Sequence, residues 1–498
     1  MTRSVMVWGT SSGAGKSWLA TALCRWAARQ GVAVRPFKAQ NMSNNARVVA
    51  GLDGGMGEIG AAQYFQALAA GVEPTVDMNP VLLKPETDTA SQVVVHGRVD
   101  VELSRMRWRE RSARLGAAAR ASFERVAVAS ELVVIEGAGS PAEINLAPTD
   151  YVNLGCARWA RAAGDFAGLL VTNIDLGGAF AHVYGTWALL PEDLRPALQG
   201  YVLNKFRGDA ALLEPGPRTL QELTGVPLAG VIPMLRGHGL PEEDGLHGHA
   251  AAPTGAAGAR AGLRIAVACA PHISNLDEFQ PLLQVPGVRL AWARTAADLE
   301  GADWIVLPGS KQVSADLAWL REQGMAAVVQ RHAAAGGVVL GICGGLQMLG
   351  QRLVDIAGHD GAAGVDVGGL GLLPVATHYG PDKQVRRCTL RFADVDGPWS
   401  PWRGVAAIGY EIHCGVTVPV AGAAPRVALV DEHGQALGWQ AGGVLGVYAH
   451  GLFESPALLR ALWGAAAPSL ARTFDLLADQ VEAHLDRRLL DRILLGRP

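Results

Sequence analysis

Short apolar runs alternate with longer amphipathic stretches along the first half of the chain. The runs that predict strands are residues 5–8, 32–37, 92–95, 132–135, 168–172 and 200–203. The stretches between them that predict helices are residues 16–30, 58–70, 101–128, 178–190 and 211–224. Alternation at this spacing is typical of βαβ units, so we predict a mainly parallel sheet with helices on both faces.

A second series of apolar runs follows a stretch that is poor in large apolar residues. Residues 237–262 are rich in glycine, alanine and proline, which indicates an exposed linker between domains. Beyond it, the runs 264–269, 288–292, 304–307 and 337–342 predict strands, and shorter runs continue to Val447. The predicted organisation is therefore two doubly wound α/β domains, residues 1–236 and 263–498, joined by residues 237–262.

The C-terminal stretch has the spacing of an amphipathic helix. Between residues 469 and 495, apolar positions recur every three or four residues. We expect this helix to pack on the second domain rather than on another copy of the chain.

Composition and charge exclude several classes of protein. The chain has 498 residues, of which 49% are hydrophobic and 18% charged, so it can build large cores and is not a disordered protein. A formal net charge of −3 excludes a broad polycationic nucleic-acid binder. The six cysteines are scattered without a Cys-x-x-Cys pair, so we expect unpaired thiols, a reducing compartment and no structural zinc site.

Neither a targeting signal nor a membrane span is expected. Residues 1–3 lead directly into the first predicted strand, which is not the pattern of a signal peptide. The longest uncharged apolar stretch, residues 333–350, contains several glycines and Gln347. It therefore predicts a buried strand, a tight turn and a helix. We expect a cytoplasmic protein that binds neither membrane nor nucleic acid, and the sequence leaves its oligomeric state open.

A glycine-rich turn follows the first predicted strand. Glycines allow backbone N–H groups to surround a phosphate, and the following helix N-terminus adds partial positive charge. Lys16 can reach the terminal phosphates, and the Ser17 hydroxyl can bind Mg²⁺. Thr10 stands where the standard pattern has glycine, so the loop is a variant form. We predict an ATP site, rather than an ordinary strand–helix turn, formed by Thr10, Gly13, Gly15, Lys16 and Ser17.

Two further strand ends suggest additional residues of this site. Glu136 directly follows the run 132–135, and ligands of open α/β sheets bind at the carboxyl ends of strands. Glu136 is thus a candidate Mg²⁺ ligand, the alternative being a solvated loop carboxylate. Asn204 follows the run 200–203 and could contact the nucleotide base, although an unrelated polar role fits equally well.

A second strand–turn–helix motif carries a cysteine. The run 337–342 ends at Cys343, which Gly344 and a second glycine follow. Such a turn presents a thiol outward, small neighbours admit substrate, and a helix N-terminus favours a thiolate. The N–H groups of Gly344 and of a turn at Gly309 can donate to an oxyanion. His450, after another apolar run, is the candidate general base. The alternative is a buried structural cysteine with an unrelated histidine.

The Gly-Ile-Cys-Gly-Gly sequence with the later histidine resembles the class I glutamine amidotransferases. These enzymes release ammonia from glutamine through a cysteine thioester. The resemblance implies that Gly309, Gly344 and Gln347 bind glutamine or its oxyanion. Many members carry a glutamate two positions after the histidine, where this chain has Leu452, and Glu454 lies four positions after it. The branch that acts on corrinoids is known for a Cys–His pair without that glutamate, and this sequence fits that branch.

The phosphate-loop half of the chain resembles the dethiobiotin synthetase-like ATPases, which activate carboxylates or carbamates. Longer motifs, which together extend over nearly the whole chain, are residues 36–45, 77–85, 136–146, 204–209, 271–275, 308–321 and 409–413. These motifs resemble those of the cobyric acid synthase family.

This resemblance implies a glutamine-hydrolysing, ATP-dependent amidoligase. ATP, as its Mg²⁺ complex, would convert a carboxylate into an acyl phosphate, which ammonia from glutamine then attacks. The implied substrate is a corrinoid, adenosylcobyrinic acid a,c-diamide, amidated on its b, d, e and g carboxylates in cobalamin biosynthesis. The residues implied to bind it are Lys38, Asn41, Ser43, Asn44 and Lys84.

Three other functions remain open at this point. The first is an amidotransferase of the cobyrinic acid a,c-diamide synthase type, against which residues 39–43 argue. The second is an ATP-driven partition or regulatory switch, for which the Cys343 turn would be superfluous. The third is a module that binds a corrinoid without converting it, which glutamine-dependent ATP hydrolysis in the presence of substrate would exclude.

Overall fold

The computed structural model describes residues 2–86, 89–241, 262–361, 363–465 and 467–497. The chain forms two compact units. The first comprises Met1–Ser43, Val49–Leu240 and Ser469–Pro498, and the second comprises Asn44–Val48 and Pro241–Pro468. Most of the linker predicted at residues 237–262 lies outside the described residues.

The N-terminal half alternates strands and helices, as the apolar runs predict. Its strands are β1 (Arg3–Gly9), β2 (Val34–Phe37), β3 (Gln40–Met42), β4 (Ala46–Ala50), β5 (Met56–Gly60), β6 (Val81–Pro85), β7 (Ser91–Val95), β8 (Arg98–Val99), β9 (Leu132–Glu136), β10 (Phe166–Asn173), β11 (Leu198–Phe206) and β12 (Leu228–Pro233). Its helices are α1 (Lys16–Arg29), α2 (Ala61–Ala70), α3 (Val101–Arg105), α4 (Trp108–Val128), α5 (Cys156–Ala163), α6 (Ala179–Leu189) and α7 (Gly216–Thr224).

The central sheet of the first unit is entirely parallel. Its order is β12-β11-β10-β1-β9-β2. Alternate residues of β1 point to opposite faces: Val5 and Val7 join one apolar core, whereas Met6 and Trp8 join the other. A sheet buried on both faces needs helices on both faces, so the predicted doubly wound architecture is confirmed.

A smaller sheet lies beside this one in the first unit, with the order β3-β6-β7-β8. Strand β3 is parallel to β6, and β6 and β7 are antiparallel. The predicted run 92–95 therefore forms a strand outside the parallel sheet, and the run that became β6 was not predicted. Both strands are apolar enough to be buried, but their sequences do not indicate which sheet they join.

The second unit is a mixed α/β fold. Its strands are β13 (Leu263–Ala268), β14 (Ile273–Ser274), β15 (Val288–Ala293), β16 (Trp304–Leu307), β17 (Gly309–Ser310), β18 (Val338–Ile342), β19 (Arg352–Asp355), β20 (Val365–Gly368), β21 (Val375–Phe392), β22 (Ala406–Pro419), β23 (Arg426–Val430), β24 (Ala436–Ala441) and β25 (Val444–Val447). Its helices are α8 (Ala296–Leu299), α9 (Val313–Glu322), α10 (Met325–Ala334), α11 (Gly344–Leu349) and α12 (Pro456–Trp463).

Five parallel strands form one end of the second sheet, in the order β15-β13-β16-β18-β25. Ile265 and Val267 of β13 join one apolar core, and Ala266 and Ala268 join the other, which confirms a second doubly wound domain. The sheet continues through antiparallel strands, including the long pair β21 and β22. The sequence indicated only short runs there, because buried, half-buried and exposed positions are mixed along this pair and give no continuous apolar signal.

The uncharged stretch 333–350 contains strand β18, a turn and helix α11, as predicted, and its first two residues are the end of α10. No helix within the described residues combines the length and the apolar character needed to cross a membrane.

The chain ends in helices α13 (Leu470–His484) and α14 (Arg487–Leu490), which belong to the first unit. Phe474, Leu477 and Val481 of α13 enter the apolar core that α1 also lines. Arg25 of α1 donates to Asp475 at 2.8 Å. The expectation that this helix packs on the second domain is therefore wrong, because an apolar stripe specifies that a helix is buried but not against which partner.

Candidate active sites

The glycine-rich loop leads from β1 into α1, as the sequence predicts. Gly13 and Gly15 have φ values of +70° and +107°, which L-residues with side chains rarely adopt. A Cβ atom at Gly15 would overlap the side-chain amide of Asn204. That amide donates to the carbonyl of Ala14 at 3.0 Å, so the end of β11 contacts the loop directly. The loop can take this shape only with glycine at position 15.

Lys16 and Thr10 connect the loop to neighbouring strand ends. The Lys16 Nζ donates to the carbonyls of Ser11, at 2.9 Å, and Gly139, at 3.0 Å. The Thr10 hydroxyl donates to Thr172 of β10 at 2.9 Å. The ammonium group of Lys16 is thus held over the loop, at the carboxyl edge of the sheet where ligands of such folds bind.

Glu136 lies at the centre of a buried polar cluster beside the loop. Its Oε1 accepts from the Ser17 hydroxyl at 2.8 Å and from Lys38 Nζ at 2.7 Å. Its Oε2 accepts from the side-chain amides of Gln63 and Gln66. Burial favours the neutral form of Glu136, but the charge of Lys38 and these hydrogen bonds outweigh it and lower its pKa. Glu136 is therefore an ionised carboxylate. The two glutamines were not predicted from the sequence.

The oxygen atoms at this position are of the type that Mg²⁺ prefers. Among the described residues, no group of three or more His, Cys, Asp or Glu side chains could hold a metal ion. Mg²⁺ usually binds one or two carboxylates together with substrate phosphates and water, so it does not need such a group. The Ser17 hydroxyl and the Glu136 carboxylate fit that smaller donor set.

The residues predicted to bind substrate fall into three places. Lys38 pairs with Glu136, as described. Lys84 forms a buried ion pair with Glu58, and Asn41 and Ser43 lie on or beside β3, which pairs with the strand of Lys84. Asn44, by contrast, belongs to the second unit.

Cys343 occupies the turn between β18 and α11 in a strained conformation. Its φ is +54° and its ψ is −108°, and its N–H donates to the Val447 carbonyl at 2.7 Å. A Cβ atom at Gly345 would overlap the Leu307 carbonyl, which explains why a small residue follows the turn. Strain of this kind persists only where the surrounding structure imposes it, and it is concentrated at functional sites.

His450 follows β25 and faces both Cys343 and a carboxylate. Cys343, whose thiol donates to the Ile412 carbonyl at 3.6 Å, interacts electrostatically with the imidazole. The Nδ1 of His450 lies 2.9 Å from Oε1 of Glu278. The Oε2 of Glu278 accepts from the Gly451 N–H at 3.0 Å. Burial lowers the pKa of His450, but the Glu278 carboxylate and Cys343 outweigh it and raise the pKa to about 10. The three side chains form a Cys–His–Glu arrangement.

The predicted oxyanion donors lie against this arrangement. A Cβ atom at Gly309 would lie 3.1 Å from Cε1 of His450, and one at Gly344 would lie 2.8 Å from the Ser310 backbone nitrogen. Gln347 is buried, donates to the Cys414 carbonyl at 2.9 Å and accepts from the Tyr379 hydroxyl at 2.9 Å. The structure thus brings the predicted residues of the second site together, with Gln347 fixed by protein partners.

Glu278 is the residue of this site that sequence reasoning missed. The expectation that the usual glutamate is missing rested on Leu452, two positions after the histidine, and the sequence left open whether the Cys–His pair has a third member. The carboxylate comes instead from a 3₁₀ helix, Leu276–Gln284, far earlier in the chain. Glu454 pairs with Arg47 at 2.6 Å. No local spacing in the sequence could have connected Glu278 with His450.

Two family models match the chain and agree with this geometry. Residues 5–239 match the CobQ/CobB/MinD/ParA nucleotide binding domain, and residues 264–458 match the CobB/CobQ-like glutamine amidotransferase domain. A nucleotide-binding domain combined with a glutamine amidotransferase domain defines an ATP-dependent amidoligase that uses glutamine as its nitrogen donor.

Curated relatives extend this likeness over the whole chain. The chain is 60% identical over 496 residues to the cobyric acid synthase of Methylibium petroleiphilum, covering 99% of this chain and 97% of the relative. It is 59% identical over 506 residues to that of Leptothrix cholodnii, with the same coverage, and 59% identical over 488 residues to that of Paracidovorax citrulli, covering 97% of each. The chain belongs to the cobyric acid synthase family.

Proposed function

We propose that the protein amidates the b, d, e and g carboxylates of adenosylcobyrinic acid a,c-diamide, with ATP as its Mg²⁺ complex and glutamine as the nitrogen donor. Each cycle joins two half-reactions. One converts a corrinoid carboxylate into an acyl phosphate, and the other releases ammonia from glutamine. Ammonia attacks the acyl phosphate, the C–O bond to phosphate breaks, and an amide and inorganic phosphate result.

The first unit carries the phosphoryl-transfer step. Lys16 and the N–H groups of the glycine-rich loop neutralise charge on the transferring phosphoryl group. Ser17 and Glu136 would hold Mg²⁺, which supplies further charge neutralisation. Lys38, paired with Glu136 beside the loop, is suitably placed to attract a carboxylate or phosphate. Thr10, Gly13, Gly15 and Asn204 shape the nucleotide site.

The second unit carries the glutaminase step. His450, which its raised pKa keeps protonated at neutral pH, holds the proton of the Cys343–His450 pair, so that the sulfur attacks the glutamine carboxamide as a thiolate. His450 then gives that proton to the departing ammonia. The N–H groups near Gly309 and Gly344 stabilise the oxyanion of the tetrahedral intermediate. His450 then removes a proton from the water that hydrolyses the thioester. Glu278 holds the imidazole so that its Nε2 faces the thiol.

The observation that carries this proposal is the 60% identity to a cobyric acid synthase over 99% of the chain, in a protein that has both a nucleotide-binding domain and a glutamine amidotransferase domain. The test is mass spectrometry of the a,c-diamide corrinoid after incubation with glutamine and Mg²⁺-ATP. Four successive carboxyl-to-amide conversions are expected, and an unchanged mass would refute the proposal. Parallel incubation with unamidated cobyrinic acid tests the a,c-diamide synthase alternative, which predicts two conversions of that compound and none of the diamide.

Lys38, Asn41, Ser43, Asn44 and Lys84 are proposed to contact the corrinoid. Their support is their polar character and the position of most of them on or beside β2, β3 and β6 of the first unit. The buried Lys84–Glu58 pair suits a role in shaping the pocket better than one as a freely presented cation.

A further inference from the structure

One short segment from the N-terminal half of the chain belongs to the second unit. The chain leaves the first unit after Ser43, contributes Asn44–Val48 to the second unit and returns to the first at Val49. This segment lies more than 200 residues before the matched amidotransferase domain, which begins at residue 264.

The segment is fixed to the turn that precedes Glu278. The side-chain oxygen of Asn45 accepts from the Leu276 N–H at 3.1 Å. The Ala46 N–H donates to the side-chain oxygen of Asn275 at 3.0 Å. These two hydrogen bonds fix the first residues of the 3₁₀ helix on which Glu278 stands.

Arg47 extends these contacts to the histidine itself. Its buried guanidinium forms ion pairs with Asp277 and with Glu454, the latter at 2.6 Å. The same guanidinium lies over the ring of Tyr410, 5.1 Å from its centroid. That ring stacks on the imidazole of His450, with centroids 5.2 Å apart and planes 19° apart. Arg47 thus contacts Asp277, which precedes Glu278 in the sequence, and Tyr410, which stacks on His450.

The Arg47 and Asp277 side chains are both buried, so loss of their ion pair would disturb the structure around Glu278. A buried guanidinium and a buried carboxylate each lose hydration, and the cost is offset only while the pair is intact. Removing the Arg47 charge would leave Asp277 buried without its cation, and the turn would have to move for that carboxylate to reach water. Such a movement would displace Glu278, and loss of the guanidinium would also remove the cation that lies over the Tyr410 ring.

We infer that Arg47 is a positioning residue of the glutaminase site, so that glutamine hydrolysis depends on a segment outside the amidotransferase domain. The inference rests on the proposed glutaminase role of Cys343 and His450.

The test compares full-length Arg47→Met and Arg47→Lys with the unmodified enzyme. Arg352→Met is the matched control, because Arg352 forms an exposed ion pair with Asp366 in the same unit. Glutaminase kcat and KM are measured with glutamine alone, and corrin amidation is measured with ammonium chloride. In Arg47→Met, kcat should fall roughly 10- to 100-fold, as expected for a displaced catalytic group. The KM for glutamine and ammonia-dependent amidation should stay within about twofold.

Arg47→Lys should recover part of the lost kcat, because an ammonium keeps the charge but cannot span both carboxylates as a guanidinium does. If Arg47→Met does not fold, Arg47→Lys carries the test, with an expected kcat loss of about threefold or more. A kcat within twofold of the unmodified enzyme in every folded variant would overturn the inference. So would equal losses of glutaminase and ammonia-dependent activity, which indicate general destabilisation. Failure of the proposed function would appear differently, as an unmodified enzyme without glutaminase activity.

Discussion

The Nδ1 atom of His450 lies 2.9 Å from Oε1 of Glu278, a residue 172 positions earlier in the chain. The other oxygen of Glu278 accepts from the N–H of Gly451, so one carboxylate fixes both the imidazole and the backbone beside it. Because Nδ1 is engaged in this way, Nε2 is the nitrogen available to Cys343. Cys343, His450 and Glu278 thus form a catalytic triad in which the carboxylate comes from the 3₁₀ helix Leu276–Gln284 and not from the segment that carries the histidine.

Glu278→Gln should lower glutaminase kcat by roughly 10²-fold or more, because a neutral amide neither stabilises the imidazolium nor enforces the tautomer. Amidation with ammonium chloride should be unchanged. The measurement is glutamate release from glutamine, with Glu322→Gln, an exposed carboxylate of the same unit, as the control. Less than a threefold effect would exclude Glu278 from the mechanism.

The titration of His450 should lie far above its usual range. Its pKa is raised from 6.5 to about 10. A raised pKa in the folded state adds stability that is fully present below pH 6.5 and is lost as the pH rises through about 10. In ¹³C-histidine NMR, one signal, missing in His450→Gln, should titrate near pH 10. The same signal should titrate at lower pH in Glu278→Gln. Titration near 6.5 in the unmodified protein would contradict this assignment.

Gly15→Ala should lower ammonia-dependent amidation far more than Gly31→Ala, a glycine substitution outside the nucleotide site. The new Cβ would overlap Asn204, in addition to the strain of φ +107°. Gly31→Ala is the control, because its φ is +79° but no atom lies within 4 Å of the new Cβ. The control should lose only about 1–2 kcal/mol of unfolding free energy. Ammonia-dependent amidation should fall at least tenfold in Gly15→Ala and stay near normal in Gly31→Ala; equal activities would refute the steric argument.

Lys16→Ala should abolish amidation with either glutamine or ammonia, because a neutral side chain cannot stabilise the transferring phosphoryl group. Glutaminase activity with glutamine alone should remain, since Cys343 and His450 lie in the other unit. The measurement is corrin amidation with each nitrogen source. Near-normal amidation in this variant would refute the assignment of the ATP site.

The sequence predicts the two loops well because their chemistry is local. The glycine-rich loop is contained in nine consecutive residues, and the Cys343 turn needs only a strand, small neighbours and a helix. In both, glycine stands where the backbone or a close contact allows no side chain, as Gly15 and Gly345 illustrate.

Contacts between distant parts of the chain could not be predicted in this way. Glu278 is one of two adjacent acidic residues, and nothing in its surroundings in the sequence distinguishes it from Asp277. Lys38 reaches Glu136 because β2 pairs with β9, and the order of strands in a sheet is not encoded in any single strand. The C-terminal helix shows the same limit, since the spacing of its apolar residues indicates that one face is buried but not on which unit it packs.

Cys343→Ser tests the central claim most directly, because it separates the supply of ammonia from its use. A serine hydroxyl is a far weaker nucleophile than a thiolate, so glutamine-dependent amidation should be lost. The ATP site lies in the other unit and should still form the acyl phosphate, which ammonia from solution can attack. The measurement is corrin amidation by the folded variant at raised pH, with glutamine or with ammonium chloride. The account predicts no product with glutamine and near-normal product with ammonium chloride; activity with both nitrogen sources, or with neither, would contradict it.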